Sequence, residues 1–258
     1  LFFPEKDKLL SDIDNFLNKK GRYRIEGYPV KFGVLLYGPP GTGKTSFIKA
    51  LANYTNRNVV SISLKDVKDN NQLMEIFFDR EFRISDDEIP IKLDYNKIIF
   101  VMEDIDCASD IVHKRNGNKS SSTKQKDDIN TSLLSKLLDT KQINLNYKSN
   151  SELTLAGLLN VLDGVVDCPN RILVMTTNHP DNLDSALKRP GRIDRIIKLD
   201  YMNYNQLVKM IEHYFDCKLK KSDRQMIENN YKNRYTPADI QKFCVESNSV
   251  GELFSKLN

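Results

Sequence analysis

The sequence predicts an α/β fold in which a parallel sheet is flanked by helices and followed by a small helical lid. Two apolar runs, at residues 34–37 and 98–102, are continuous rather than alternating, as in strands buried on both faces. A glycine-rich loop and a helix-forming segment follow the first run, as in a strand-loop-helix unit. After residue 199 the apolar residues recur at helical spacing. We therefore expect an α/β unit over residues 1–200 and the lid over residues 201–258.

Length and composition agree with this fold. A chain of 258 residues can bury a substantial core, and 40% hydrophobic with 29% charged residues is ordinary for a globular protein. The net charge of +4, with both signs interspersed, disfavours nucleic acid as a partner. The four cysteines show no C-x-x-C spacing, which indicates a reducing compartment and no structural zinc.

The remaining elements are predicted from hydrophobic periodicity. Residues 5–20 have the pattern of an amphipathic packing helix, residues 58–63 that of a strand and residues 72–82 that of an apolar helix. In the lid we predict helices at residues 204–215, 222–230 and 237–248.

A polar, low-complexity insertion occupies about residues 107–150, with a short helix predicted at residues 133–138. We interpret the insertion as a solvated spacer, and a loop that faces a pore or a partner is the alternative.

The loop after the first strand fits the phosphate-binding pattern G-x-x-x-x-G-K-[ST]. Its glycines let backbone N–H groups converge on a phosphate, and the following helix directs its positive N-terminal end at the same place. Lys44 is expected to reach the β- and γ-phosphates, and the Thr45 hydroxyl to bind Mg²⁺. The predicted nucleotide-binding residues are Gly38, Pro39, Pro40, Gly41, Thr42, Gly43, Lys44, Thr45 and Ser46.

The second apolar strand ends in the acids Glu103 and Asp104, and Asp106 follows. In open α/β sheets the carboxyl ends of the strands border the ligand crevice, so these acids should lie beside the phosphate-binding loop. Phosphoryl transfer to water requires one group that orients Mg²⁺ and another that activates the water. The two motifs together predict an ATP site that uses Mg²⁺.

With these motifs the sequence resembles the AAA family of ring ATPases, and further motifs occur in that family's order. Asn178 follows the apolar residues of another strand and matches the polar residue that helps to position the attacking water. Arg189 and Arg192 match two arginines that the family presents to the nucleotide of the neighbouring subunit. A guanidinium delivered in this way would neutralise charge that builds on the γ-phosphate. The resemblance implies a P-loop NTPase fold and a homo-oligomeric ring.

Four local matches indicate the BCS-type subfamily of membrane-anchored AAA proteins. They lie at residues 27–37, 103–106, 152–164 and 236–240, where the third resembles the helix after the acidic strand and the fourth the lid motif. In this subfamily Glu precedes Asp at the end of the acidic strand, the reverse of most AAA proteins. By register Glu103 falls at the metal-orienting position and Asp104 at the water-activating position. The opposite assignment remains open.

The subfamily also implies a location and a client. BCS-type proteins carry a transmembrane helix ahead of the ATPase module, and we expect any such segment of this protein to precede Leu1. By resemblance the protein belongs to the mitochondrial inner membrane or another intracellular membrane, with its ATPase domain in a reducing compartment. Residues 63–71 lack the aromatic residue with which threading AAA proteins grip an extended chain.

We therefore expect a motor that remodels or translocates a protein client without threading it. The alternatives are an assembly scaffold that is switched by nucleotide and turns over slowly, and an AAA protein that loads nucleic acid.

Overall fold

The computed structural model describes residues 1–82, 89–108, 112, 152–230 and 235–257. Its helices are α1 (Lys6–Leu17), α2 (Lys44–Thr55), α3 (Asn70–Phe78), α4 (Leu155–Asp163), α5 (Tyr204–Tyr214), α6 (Lys221–Asn230), α7 (Pro237–Val245) and α8 (Val250–Lys256). Its strands are β1 (Lys31–Tyr37), β2 (Asn58–Ser61), β3 (Glu81–Phe82), β4 (Ile91–Lys92), β5 (Ile98–Met102), β6 (Arg171–Thr177) and β7 (Arg195–Lys198). The helix expected at residues 133–138 and most of the predicted insertion lie outside the described residues.

Five strands form one parallel sheet in the order β2-β5-β6-β1-β7, which confirms the predicted sheet. The three central strands β5, β6 and β1 are buried almost throughout, as their continuous apolar sequences require. Tyr37 at the end of β1 lies opposite Thr177 at the end of β6. Met102 at the end of β5 lies opposite Met175 of β6. The segments that follow these three strands therefore emerge side by side at one edge of the sheet.

Side chains alternate between two cores on the two faces of the sheet. On β1, Phe32, Val34 and Leu36 face the core formed with α1 and α2. The intervening Leu35 faces the other core, to which α3 contributes Phe77. Helices on both faces are the arrangement expected of a parallel sheet.

A third core joins the helices that follow the sheet. It contains buried residues from Met202 to Leu257 on α5, α6, α7 and α8 and in the segments between them. Asn203 caps α5 and Thr236 caps α7, each through a capping box, so both helices begin at well-defined residues. The division into domains at residue 200 stays a prediction.

Several predicted boundaries differ from those in the structure. The helix expected at residues 72–82 ends at Phe78, because Arg80 adopts a positive φ of 57° and residues 81–82 pair with β4 instead. The strand expected at residues 58–63 ends at Ser61, and the helix expected at residues 237–248 ends at Val245. The helix expected at residues 5–20 spans Lys6–Leu17. Strand β7 and helix α8 were not predicted.

Candidate nucleotide site

The phosphate-binding loop connects the buried strand β1 to α2. Gly38 begins it with a φ of 142°, and a Cβ atom there would lie 1.8 Å from the carbonyl oxygen of Leu199. Only glycine fits this position, since any side chain would displace either the loop or the chain that leaves β7. At the other end Gly43 precedes α2 and leaves the N-terminal end of that helix directed at the loop.

Lys44 is held inside the loop by three hydrogen bonds. Its ammonium donates to the carbonyl oxygens of Gly38 at 2.8 Å and Pro39 at 3.1 Å, and to Oδ1 of Asn178 at 2.7 Å. Burial lowers the pKa of Lys44 below its ordinary value, and the nearby carboxylates of Asp104 and Asp106 offset part of that effect. These contacts place the cation of the loop beside the polar side chain at the end of β6.

Thr45 and Glu103 form the second contact across the site. The Thr45 hydroxyl donates to Oε1 of Glu103 at 3.0 Å, and both side chains are exposed to the cleft. A hydroxyl and a carboxylate are hard oxygen donors of the kind that bind Mg²⁺. Within the described residues no three His, Cys, Asp or Glu side chains are grouped to hold a metal ion. Two protein oxygens fit Mg²⁺, which is commonly held by one or two protein side chains together with substrate phosphates.

Asp104 adopts a backbone conformation that is uncommon for residues other than glycine. Its φ of 47° and ψ of 51° are left-handed, and its N–H donates to Oγ1 of Thr176 at 2.9 Å. Such conformations cost free energy and are found at sites where the surrounding structure enforces them. Here the turn directs the chain from β5 along the cleft, so that the residue after Glu103 also lines it.

Asp106 supports the site although it was not predicted as a site residue. Its Oδ1 accepts hydrogen bonds from Oγ1 of Thr177 at 2.7 Å and from the N–H of Asn178 at 3.4 Å. The carboxylate therefore fixes the end of β6 that carries Asn178. The sequence shows Asp106 as a third acid after β5, but its hydrogen-bond partners at the end of β6 depend on how β5 pairs with β6.

Most of the predicted residues meet in one cleft of about 350 Å³. Its predicted lining residues are Pro40, Gly41, Gly43, Lys44, Thr45, Ser46, Glu103, Asp104 and Asn178. Gly38, Pro39 and Thr42 lie just behind it, where the Thr42 hydroxyl donates to the Pro39 carbonyl at 2.8 Å. Four further lining residues, Thr176, Pro237, Ala238 and Gln241, were not among the predicted site residues, although residues 236–240 were recognised as the lid motif.

The lid closes one side of this cleft. The N-terminal end of α7 lies against the phosphate-binding loop, and the N–H of Ala238 donates to the Gly41 carbonyl at 3.2 Å. A neighbouring cavity of about 190 Å³ is lined by Thr42, Gly43 and Ser46 of the loop and, on the lid, by Met210 and Pro237 among others. Loop and lid thus share two adjoining spaces, the first polar and the second largely apolar.

Arg189 and Arg192 lie outside the cleft and have different surroundings. Arg189 is exposed, and within the described part of the chain its guanidinium makes no hydrogen bond or ion pair. Arg192 is half-buried and donates from Nη1 to the Ala186 carbonyl at 2.6 Å, while its buried Nε has no hydrogen-bond partner among the described residues. The structure therefore does not bring the two arginines to the nucleotide cleft of their own chain.

A parallel sheet that carries this loop, these acids and a helical lid defines a nucleotide-binding domain of the P-loop class. The model of the family described as "ATPase family associated with various cellular activities (AAA)" matches residues 34–201, and the chain belongs to this family. Both the predicted fold and the predicted ATPase class are thereby confirmed.

Similar proteins come from Arabidopsis thaliana. AAA-ATPase At4g30250 is 32% identical over 96% of this chain and 45% of its own length. AAA-ATPase ASD, mitochondrial, is 31% identical over 96% of this chain and 46% of its own. Protein HYPER-SENSITIVITY-RELATED 4 is 29% identical over 98% of this chain and 38% of its own.

The chain spans about half the length of the curated relatives it matches, or less. The relatives agree with the recognition of an AAA+ ATPase of BCS-like type. Among the described helices, none has the length and apolar character needed to cross a bilayer.

Proposed function

We propose that this chain is the ATPase domain of a ring motor that remodels or translocates a protein client. The observation that carries the proposal is the division of the predicted catalytic residues into two sets. Lys44, Glu103 and Asn178 line one cleft, whereas Arg189 is exposed elsewhere on the same chain. An active site of this kind is complete only where two subunits meet.

ATP binds in the polar cleft beside the phosphate-binding loop. There the Lys44 ammonium exchanges its carbonyl and amide partners for oxygens of the β- and γ-phosphates. The adjoining apolar cavity between loop and lid has the character required by the nucleoside base. Thr45 and Glu103 would hold Mg²⁺, which when bound supplies positive charge against the phosphate oxygens.

Asp104 and Asn178 act on the attacking water. Both side chains line the cleft, where the Asp104 carboxylate accepts the proton of the water and the Asn178 amide orients the water. Asp106 keeps Asn178 in place through the N–H of Asn178 and the hydroxyl of Thr177. Glu103 is the alternative base, and its contact with Thr45 favours the metal-orienting role instead.

Arg189 and Arg192 complete the site of the neighbouring subunit. AAA proteins generally form rings, and an exposed arginine without a partner in the described part of its own chain is free to reach across such an interface. The guanidinium would stabilise charge on the transferring phosphoryl group, an effect worth ~10³–10⁵ in rate by analogy with GTPases. The free arginine makes hydrolysis depend on assembly.

The composition of the loop between β2 and α3 favours a client that is not threaded. Its apolar side chains Leu64 and Val67 are buried in the core beneath the sheet, so its exposed positions are polar. Such a loop exposes neither an aromatic nor a large apolar side chain with which to grip an extended polypeptide. We therefore favour a folded client, and the BCS-like type favours a mitochondrial or other membrane setting. One relative carries the word mitochondrial in its name.

Mixing two inactive variants of the intact protein tests the division of the site. Donor subunits carry Lys44→Ala and keep their arginines, while acceptor subunits carry Arg189→Ala with Arg192→Ala and keep their phosphate-binding loop. Each variant alone should be inactive, and co-assembled mixtures should hydrolyse ATP, because a donor's arginines can serve an acceptor's loop. Pull-down of differently tagged subunits verifies co-assembly. Inactive mixtures that contain both subunits would contradict the proposal.

Turnover of the unmodified protein separates the motor from the slow scaffold. The motor predicts steady hydrolysis with many turnovers per subunit, at or below the roughly 1–100 s⁻¹ typical of kinases. A ring that assembles with ATP but shows no more than one turnover per subunit would favour the scaffold instead.

A further inference from the structure

Arg189 and Arg192 lie in residues 189–194, called here the arginine segment. This segment is attached to β1, the strand that leads into the phosphate-binding loop. Asp194 makes this attachment through both its backbone and its side chain. We propose that Asp194 is a positioning residue that sets where the two arginines are presented to the neighbouring subunit. The inference rests on the proposed function, because it assigns a role in the delivery of those arginines.

Asp194 continues the pairing of β1 with β7 by one step. The regular register begins with Val34 opposite Arg195. One residue earlier, the N–H of Asp194 donates to the Gly33 carbonyl at 2.8 Å. The N–H of Gly33 in turn donates to Oδ2 of Asp194 at 2.9 Å, so the carboxylate serves as the acceptor at this point. Two hydrogen bonds thus fasten the end of the arginine segment to the sheet.

The Gly33 position brings the same segment into direct contact with the strand. A Cβ atom at Gly33 would lie 2.0 Å from the carbonyl oxygen of Arg192. The backbone of Arg192 therefore rests on the strand where a side chain would otherwise stand. Because any side chain at residue 33 would have to displace this carbonyl, the absence of a side chain determines how closely Arg192 approaches β1.

The second carboxylate oxygen of Asp194 is also paired. Oδ1 accepts a hydrogen bond from Nη2 of Arg22 at 3.0 Å, and the Asp194 side chain is only 5% exposed. A carboxylate that is buried, charged and bonded at both oxygens has one favoured orientation. The next residue, Arg195, pairs with Asp12 of α1 at 2.6 Å and anchors the segment from its other side.

These contacts connect the two halves of the proposed active site within one subunit. Gly33 and Gly38 lie five residues apart on β1 and its end, a distance of ~17 Å along an extended strand. The arginine segment is fastened at the first of these positions, and the phosphate-binding loop begins at the second. Strand β1 thus fixes the distance between two parts of the same subunit. One part is the arginine segment, which serves one neighbour, and the other is the phosphate-binding loop, which is served by the arginines of the other neighbour.

The test adds Asp194→Asn to the mixing experiment on the intact protein. Asparagine keeps the size of the side chain but replaces one acceptor oxygen by an NH₂ group, which must face either the Gly33 N–H or the Arg22 guanidinium. The lost acceptor loosens the arginine segment and leaves the residues of the nucleotide cleft unchanged. Asp200→Asn is the matched control, because Asp200 is a more exposed acid that pairs with Lys198 at the end of β7.

The substitution is tested once in the donor subunit, which supplies the arginines, and once in the acceptor subunit, whose nucleotide cleft receives them. As a donor, Lys44→Ala with Asp194→Asn should rescue the arginine-free acceptor ~10²-fold less well than Lys44→Ala alone, the loss expected when a catalytic group is misplaced by about 1 Å. As an acceptor, the subunit that carries Arg189→Ala, Arg192→Ala and Asp194→Asn should respond normally to Lys44→Ala donors, since its own cleft is intact. The Asp200→Asn control should be normal in both arms. A merely structural defect would lower both arms together.

Equal rescue by donors with and without Asp194→Asn would overturn the inference and leave the proposed function standing. Failure of the unmodified Lys44→Ala donor would instead overturn the proposed function. If Asp194→Asn does not fold, Arg22→Gln takes its place, because Arg22 is 40% exposed and, of the two Asp194 oxygens, its loss frees only Oδ1. The hydrogen bond from Arg22 to the Tyr23 hydroxyl is lost as well. That variant should also fail selectively as a donor, and unimpaired donation by it would equally contradict the inference.

Discussion

The phosphate-binding loop and the arginine segment differ in whether their functional side chains find partners within one chain. The loop has its partners already in contact, since Lys44 bonds to Asn178 and Thr45 bonds to Glu103. The arginine segment is held just as firmly through Asp194, yet Arg189 at its tip has no partner among the described residues. We propose that the first region receives a ligand from solution, whereas the second presents its charge to a neighbouring subunit.

This difference shows why a single subunit is expected to bind nucleotide without hydrolysing it efficiently. Binding requires the loop, Lys44 and a hard oxygen pair, and all of these are in one cleft. Efficient cleavage also requires positive charge on the far side of the γ-phosphate, which the described residues of the same chain do not supply there. Variants in the two regions should accordingly fail in different ways.

Replacing Lys44 by Ala should have the largest effect and abolish measurable ATP binding. No other cation among the described residues lines the cleft, so the phosphates would lose their main counter-charge. Titration with a fluorescent ATP analogue measures the affinity. Lys49→Ala on the exposed side of α2 is the control and should bind normally. Unchanged affinity in Lys44→Ala would contradict the assignment of the loop.

Replacing Arg189 by Ala should preserve ATP affinity and lower the hydrolysis rate by ~10³-fold or more in assembled protein. The exposed side chain has no described contacts to lose, so the free energy of unfolding should not change. Single-turnover hydrolysis and particle size are measured together. Lys198→Ala, another exposed cation close by in sequence, should leave both unaltered. Loss of ATP binding in Arg189→Ala would show that the arginine acts within its own subunit.

Replacing Asp104 by Asn should slow hydrolysis by ~10²–10⁴-fold while Mg²⁺ and ATP remain bound, because an amide is not a base. Replacing Glu103 by Gln should instead weaken the dependence of ATP binding on Mg²⁺, since its carboxylate pairs with the Thr45 hydroxyl. ATP affinity with and without Mg²⁺, measured beside the rate, separates the two. Exchanged phenotypes would mean that the two acids have the opposite roles.

The two arginines should differ in their effect on stability. Arg192→Ala should lower the free energy of unfolding by ~1–2 kcal/mol, because its guanidinium donates to the Ala186 carbonyl from a half-buried position. Arg189→Ala has no comparable bond to lose. Urea denaturation of both variants measures the difference. Equal stabilities would indicate that the contact with Ala186 contributes little.

The sequence predicted the parts of the site that depend on local order along the chain. A glycine-rich loop must follow a strand, and acids at the end of a parallel strand must border the ligand crevice. Residues 38–46 and Glu103 were predicted in this way, whereas Asn178 was predicted from the resemblance to the AAA family. The end of α3 was predicted wrongly because apolar residues continue to Phe82, while the left-handed Arg80 and the short hairpin override that periodicity.

Contacts between distant parts of the chain could not be predicted from local pattern. Asp106 acquires its role only because β5 and β6 are neighbours, and Ala238 meets Gly41 only because the lid folds back. The attachment of Asp194 to Gly33 joins residues 161 positions apart and depends on β7 lying beside β1. Isolated residues of these types carry no sequence signal for such partners.

The dependence of ATPase rate on subunit concentration tests the central claim most directly. The intact protein is diluted through the range in which light scattering shows the ring to dissociate, and the rate per subunit is measured at saturating ATP. The claim that the site is completed by a neighbour's arginines predicts that the rate per subunit falls in parallel with particle size, while single subunits still bind ATP. An undiminished rate per subunit in solutions that contain only single chains would contradict it.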